Sequence, residues 1–162
     1  MQYRRSRILG LGVAFPLFMF GVLGAAMPAQ AAAPTPFTIT QTGTGTSPTG
    51  GGVGTFVATA PLCPSGTWVD DVHNTGPNSP NSNSPAPRFY LLVRTVFTCD
   101  DGDSFFVQSH VFFTLTDGVF TNTGPSLLHG GTGAFVDLQG TGEDNGNLAT
   151  STGTISGFIT GL

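Results

Sequence analysis

The sequence predicts an all-β domain of seven or eight short strands, arranged as a barrel or a sandwich. Three observations carry that expectation. Beyond the first thirty-odd residues no segment shows a helical period with caps. Short runs of β-branched and aromatic residues alternate with turn residues, supplied by 24 glycines and 12 prolines in 162 residues. Near the C-terminus, Leu128-His129-Gly130-Gly131-Thr132-Gly133-Ala134-Phe135-Val136-Asp137-Leu138-Gln139-Gly140-Thr141-Gly142 places one short apolar stretch between two glycine clusters. A strand that bends at glycines and is followed at once by another strand suits the corners of a small barrel.

The elements follow in chain order. Residues 37–42 alternate apolar and polar and read as a first strand. Residues 43–52 are Gly, Thr and Ser with one proline and read as a loop. A second strand covers 53–59, a turn covers 62–67, and Trp68 and Val69 begin a short third strand. Residues 76–87 hold four prolines among asparagines and serines and read as a long exposed loop. Residues 88–98 form the strongest strand, dense in β-branched and aromatic side chains. Asp100-Asp101-Gly102-Asp103 then makes a hairpin turn, with 105–116 as the return strand. Residues 119–121 form a brief strand that ends at Gly124-Pro125, and 126–128, 134–138 and 154–160 supply the last strands.

If Asp101-Gly102 is a two-residue turn, Cys99 faces Ser104 and Arg94 faces Ser109. Phe89, Leu91, Val93 and Phe97 then share a face with Phe106, His110 and Phe112. Tyr90, Leu92 and Val96 share the other with Phe105, Val107, Val111 and Phe113. Both faces are apolar, whereas a solvated antiparallel sheet keeps one polar face. This predicts a subunit contact on the outer face, in a homo-oligomer. A turn longer by one residue reshuffles these faces.

Composition places the domain. Arg4, Arg5 and Arg7 precede an apolar stretch and the small-x-small site Ala29-Gln30-Ala31, so residues 1–31 read as a secretory signal peptide. Five glycines and prolines within that stretch (Gly10, Gly12, Pro16, Gly21, Gly24) make it a poor permanent membrane span. After cleavage two arginines, Arg88 and Arg94, stand against nine acids and no lysine, a balance of −7. Such a chain repels nucleic acid and anionic lipid, and neither is expected as a partner. Cys63 and Cys99 both survive cleavage, and two cysteines in an exported chain are expected to pair. The expected location is secreted and extracellular.

Leu62-Cys63-Pro64-Ser65-Gly66-Thr67, Phe97-Thr98-Cys99-Asp100-Asp101-Gly102 and the glycine-rich stretch 131–142 together carry a family resemblance. The chain resembles exported bacterial proteins of the allene oxide cyclase-like barrel group, related to plant dirigent proteins, over residues 37–162. The resemblance implies an eight-stranded antiparallel β-barrel with an apolar cavity, often trimeric. It further implies a cavity that steers cyclisation or coupling of reactive intermediates by shaping them. No residues here convincingly match the catalytic residues of the plant cyclases, so the fold carries over better than the activity.

The chemical candidates divide into bland and sharp readings. Asp100, Asp101 and Asp103 around Gly102 resemble a fragment of a calcium loop, but further ligands and a closing glutamate are missing, so a plain hairpin turn is preferred. Asp70-Asp71-Val72-His73 offers metal-ligand types, yet a solvated acidic patch is the plainer reading. Gly130, Gly131 and Gly133 lack the following helix and lysine of a phosphate loop. Neither a metal nor a cofactor is expected. Tyr90 and Arg94 share one strand face, and His110 with Gln108 lies on the opposite face in the register above. A polar group among so many apolar neighbours is either a satisfied structural pair or a cavity's orienting group. Tyr90 and Arg94 are the first ligand-binding candidates, with Arg94 paired to a carboxylate such as Glu143 as the plain alternative. His110 takes their place if Arg94 faces outward. The functional expectation is an exported barrel that binds a small apolar ligand and guides a cofactor-independent cyclisation or isomerisation. Low charge and the lack of an obvious acid–base pair favour a non-catalytic cell-surface or carrier module instead.

Overall fold

The computed structural model describes residues 33–48, 51–74 and 88–162. The expected signal peptide and the proline-rich loop at 76–87 lie outside the described residues. Eight antiparallel strands close into a barrel in simple chain order: β1 (Thr35–Thr46), β2 (Gly52–Ala58), β3 (Ser65–Asn74), β4 (Arg88–Cys99), β5 (Ser104–Thr116), β6 (Val119–Gly131), β7 (Gln139–Asn147) and β8 (Thr152–Gly161). β1 closes the ring on β8, with Ile39 opposite Ile155. One short 3-10 turn, Gly133–Phe135, joins β6 to β7.

Side chains alternate between lumen and exterior along every strand. Gly66, Trp68, Asp70 and Val72 of β3 stand beside Cys99, Phe97, Thr95 and Val93 of β4. These in turn stand beside the odd positions of β5, with Phe97 opposite Phe105 and Val93 opposite Ser109. The β4–β5 register differs from the two-residue expectation by one residue: Thr98 faces Ser104 and Arg94 faces Gln108. The turn itself is the cause. Asp101 Oδ1 accepts a hydrogen bond from the Asp103 N–H at 3.1 Å, and Gly102 takes a φ of 96°. Cys99 N–H bonds the Asp103 carbonyl at 2.8 Å, so Asp100, Asp101 and Gly102 all fall in the loop. The odd positions of both strands therefore share the inner face, and Tyr90, Arg94, Gln108 and His110 share the outer one.

Three other segments depart from expectation. Residues 43–46 belong to β1 rather than a loop, because Gly43 and Gly45 can lie against β2 at a bulge in the register. β6 runs unbroken through Gly124-Pro125. Its pairing with β5 is recorded on either side of those two residues, where a proline without an N–H is tolerated in a strand. A Cβ on Gly124 would sit 2.0 Å from the His110 carbonyl oxygen, so only glycine allows the close approach to β5 there. Residues 134–138 are not a strand. They fold inward as the 3-10 turn and bury Phe135 and Leu138, while the polar stretch Gln139–Asn147 forms β7 instead.

One end of the barrel is filled. Phe37, Ile39, Phe56, Phe97, Phe105, Val107, Leu128, Ile155 and Ile159 pack there, closed by Leu62, Phe135 and Leu138. Phe97 stacks on Phe105 at 4.9 Å, and Phe56 meets Phe97 edge-on at 5.1 Å. The Cys63–Cys99 disulfide pins the β2–β3 turn to the end of β4, with its Cα atoms 6.0 Å apart. It closes a loop across a sequence separation of 36, which stabilises the fold by about 4 kcal/mol on the chain-entropy model. The disulfide is compatible with an extracellular protein. No helix among the described residues is long and apolar enough to cross a membrane.

Candidate functional site

The other end of the barrel is hollow. A cavity of about 970 Å³ lies there, within the range of small-molecule sites. Its walls differ in kind. Leu91, Val93, Val111 and Phe113 of β4 and β5 form an apolar cluster, backed by Phe89 and Val72. Facing them are glycines: Gly43 and Gly45 on β1, Gly52 on β2, Gly146 on β7 and Gly153 on β8. Bulky inward residues on four adjacent strands would fill this lumen, so the glycines are what keep it open.

Trp68 forms the floor, between the filled end and the cavity. Its indole N–H donates to the Thr55 carbonyl at 2.9 Å. The ring lies where a Cβ on Gly52 would approach it to 2.6 Å, so only glycine leaves room for the indole at that position.

Polar groups converge on the lumen at two places. On β3, Asp70 sits directly across the ladder from Thr95, whose hydroxyl donates to Asp70 Oδ1 at 2.7 Å. The Gly52 N–H also bonds the Asp70 carboxylate, and Ser47 Oγ donates to the Asp70 backbone carbonyl at 2.9 Å. On β7, Asp144 accepts from Asn122 Nδ2 at 3.1 Å and from the Ser109 hydroxyl. Ser109 and Ser126, both fully buried, share a hydrogen bond of 2.9 Å. With Asp144 ionised, Ser109 must donate to the carboxylate, which leaves Ser126 to donate to Ser109.

Burial controls both acids. Desolvation pushes the Asp70 carboxyl up to about 6 from an ordinary 3.8; the Thr95 and Gly52 hydrogen bonds act against it, and the charge of Asp144 adds to it. Desolvation likewise raises Asp144, opposed by Ser109 and Asn122. β3 and β7 are four strands apart in either direction around the ring, so the two carboxyls look into the lumen from opposite walls. A carboxyl near 6 can both hold and release a proton close to neutral pH, the property that general acid–base work requires.

The residues singled out from the sequence lie elsewhere. Tyr90, Arg94 and His110 are all on the barrel exterior. The Tyr90 hydroxyl hydrogen-bonds His110 Nδ1, and His110 Nε2 lies 3.4 Å from Gln108 Nε2. The Arg94 guanidinium lies over the Phe106 ring at 4.5 Å and is exposed. Glu143, the expected partner of Arg94, is instead on β7 and accepts from Thr123 at 3.1 Å. The one-residue change of register brings Tyr90 and His110 together, but outside the lumen, so none of the three is a cavity group.

The acidic motifs also resolve. Asp71 and His73 pair on the outside at 3.1 Å, while Asp70 turns inward, so the motif is neither a convergent metal set nor wholly a solvated patch. Asp100 accepts from Ser65, and Asp103 from the Ala134 N–H at 3.0 Å. These carboxylates serve turns. Among the described residues no group of three or more His, Cys, Asp or Glu could hold a metal ion. Asp144 carries no signal in the sequence, because Glu143-Asp144-Asn145 is a polar run without apolar alternation; only the parity of β7 places Asp144 inward. Comparison of the chain with family models, curated proteins and solved structures returns no match.

The raised carboxyl of Asp70 makes stability depend on pH. The folded state holds that proton more tightly than the unfolded chain, so its contribution is greatest below about 4 and is lost as pH rises through about 6. Asp70→Asn removes the cost of the buried charge. It should raise unfolding stability at pH 7.5 by roughly 1–3 kcal/mol, with the gain vanishing toward pH 4. Urea unfolding of both proteins across that range measures it; a loss of stability at pH 7.5 would contradict the assignment.

Proposed function

We propose that this protein is an exported barrel that binds a small, largely apolar ligand in the hollow end of its lumen. The observation that carries the reading is the cavity: about 970 Å³, with one apolar wall and a few convergent polar groups. Pockets of that size and lining are the usual form of small-molecule sites. Chemistry without a cofactor is within reach of the groups present. Asp70, Asp144 and their hydroxyl partners can move a proton on a ligand that the apolar wall holds away from water. Cyclisation or isomerisation is chemistry of that kind, and it fits the resemblance to the allene oxide cyclase-like group. A carrier would use the same cavity without turnover. The disulfide and the leader-like N-terminus support export.

The cavity reading is tested with Nile red, an uncharged apolar dye. It should bind with one-to-one stoichiometry and quench or shift the emission of Trp68, the only tryptophan. Gly153→Leu should reduce binding about ten-fold or more by filling the lumen. A Cβ there comes tightest against the Gln41 side-chain oxygen, at 3.2 Å, with the Asn145 carbonyl oxygen at an ordinary 3.7 Å, and Gly153 does not take a positive φ, so the backbone tolerates the change. Dye binding unchanged in a folded Gly153→Leu protein would contradict the reading.

We also infer a homo-oligomer, a dimer or trimer, joined through the exterior of β4, β5 and β6. Phe112 is 55% exposed and Leu127 50% exposed there, beside Leu92, Val96 and Phe106. Apolar groups grouped on one face mark association surfaces. Sedimentation at micromolar concentration should show an assembly that Phe112→Asp weakens. A monomer at every concentration would contradict it.

A further inference from the structure

The lumen holds one hydrogen-bonding group that the protein itself leaves unused. The buried polar residues among those described are Gln41, Ser47, Thr95, Ser109 and Ser126. Ser47 donates to the Asp70 carbonyl, Thr95 donates to the Asp70 carboxylate, and Ser109 and Ser126 bond each other. Gln41 is only 8% exposed, yet among the described residues its carboxamide has no hydrogen-bond partner. No polar side-chain atom among the described residues is both sealed off and unpartnered. The oxygen and nitrogen of Gln41 therefore open on the cavity that this residue lines. We propose that Gln41 reads the head group of the ligand, and that the cavity takes apolar ligands ending in a cis amide, as in a lactam.

This inference rests on the cavity being a ligand site and names the ligand class. Gln41 stands on β1 between Ile39, packed into the filled end, and Gly43, which lines the hollow one. Beside it on β8 is Gly153, where a Cβ would come 3.2 Å from the Gln41 side-chain oxygen, so glycine there leaves the carboxamide uncovered. Trp68 shares the floor, but its indole N–H is already committed to Thr55. A carboxamide shut away from bulk water without a partner is costly, and folded proteins rarely leave one so. A ligand that completes it removes that cost. Whichever way round the amide is turned, it presents a donor and an acceptor side by side. A cis amide presents the complementary pair: its N–H donates to Gln41 Oε1, and its carbonyl oxygen accepts from Gln41 Nε2. A ketone or an ether engages the nitrogen alone and strands the oxygen, and a hydrocarbon strands both. Sites that hydrogen-bond a ligand discriminate against the analogue lacking that group for this reason. The body of the ligand then lies against the apolar β4–β5 wall, at Leu91 and Val93.

Three probes of one shape test it on the intact protein: 2-quinolone, a lactam; 1-methyl-2-quinolone, which keeps the carbonyl and lacks the N–H; and naphthalene. Each is titrated in competition with Nile red. The lactam should bind about ten-fold or more tighter than its methylated form. Gln41→Leu should erase that preference while binding naphthalene as well as the wild type or better. In nitrogen-15 NMR the side-chain amide signals of Gln41 should move downfield with 2-quinolone and much less with naphthalene. If Gln41→Leu fails to fold, Gln41→Met replaces it, and the wild-type affinities with the amide shifts decide the matter. Equal binding of the lactam and its methylated form, or a preference that survives in the folded variant, overturns the role of Gln41 and leaves the cavity reading intact. Nile red binding with none of the three competing overturns it too. If Nile red also fails to bind, the cavity reading falls with it.

Discussion

The β4–β5 register ties the structure together. Because side chains alternate across a strand, the pairing at one turn decides which positions of both strands face the lumen. The Asp101–Asp103 hydrogen bond and the positive φ of Gly102 lengthen that turn by one residue. The result matches Phe97 with Phe105 and sends Ser109 into the lumen, where it meets Asp144. The same parity puts Tyr90, Arg94 and His110 on the outside as a group. Continued around the ring, it brings Asp70 of β3 and Asp144 of β7 inward from opposite walls.

The two ends of the barrel solve different problems. At the filled end, aromatic stacking, the inward 3-10 turn and the disulfide give a dense core. That core leaves the other end to be hollow. There, glycines on β1, β2, β7 and β8 give up packing, and two carboxyls give up hydration. Neither concession helps the fold: desolvated acids are costly, and an unfilled lumen forfeits apolar contact. Their concentration in one compartment, with hydroxyl and amide donors arranged around both acids, is the physical argument that the compartment serves a ligand.

Much of the fold was legible in the sequence, because alternation and turn chemistry are local. The strong strands at 88–98 and 105–116, the disulfide pair and the all-β class followed from composition and period. β7 was not legible: Gln-Gly-Thr-Gly-Glu-Asp-Asn-Gly-Asn has no apolar alternation, since its inward positions are three glycines and an aspartate. Its strand state is imposed by β6 and β8 on either side. Residues 134–138 failed in the opposite sense, since an apolar run resembling a strand is a plug. The site was hidden for the same reason as β7. Tyr90, Arg94 and His110 drew attention as polar groups in apolar strands, whereas Asp70 and Asp144 sit in polar sequence and become unusual only when the barrel closes around them.

The central claim is that the hollow end is a dehydrated compartment holding two acids. Carbon-13 NMR titration of the aspartate side-chain carboxyls tests it most directly, with Asp70→Asn and Asp144→Asn used to assign the signals. The account predicts a midpoint near 6 for Asp70 and a midpoint above the ordinary 3.8 for Asp144. Ordinary midpoints for both would mean that water fully solvates the two acids, and would contradict it.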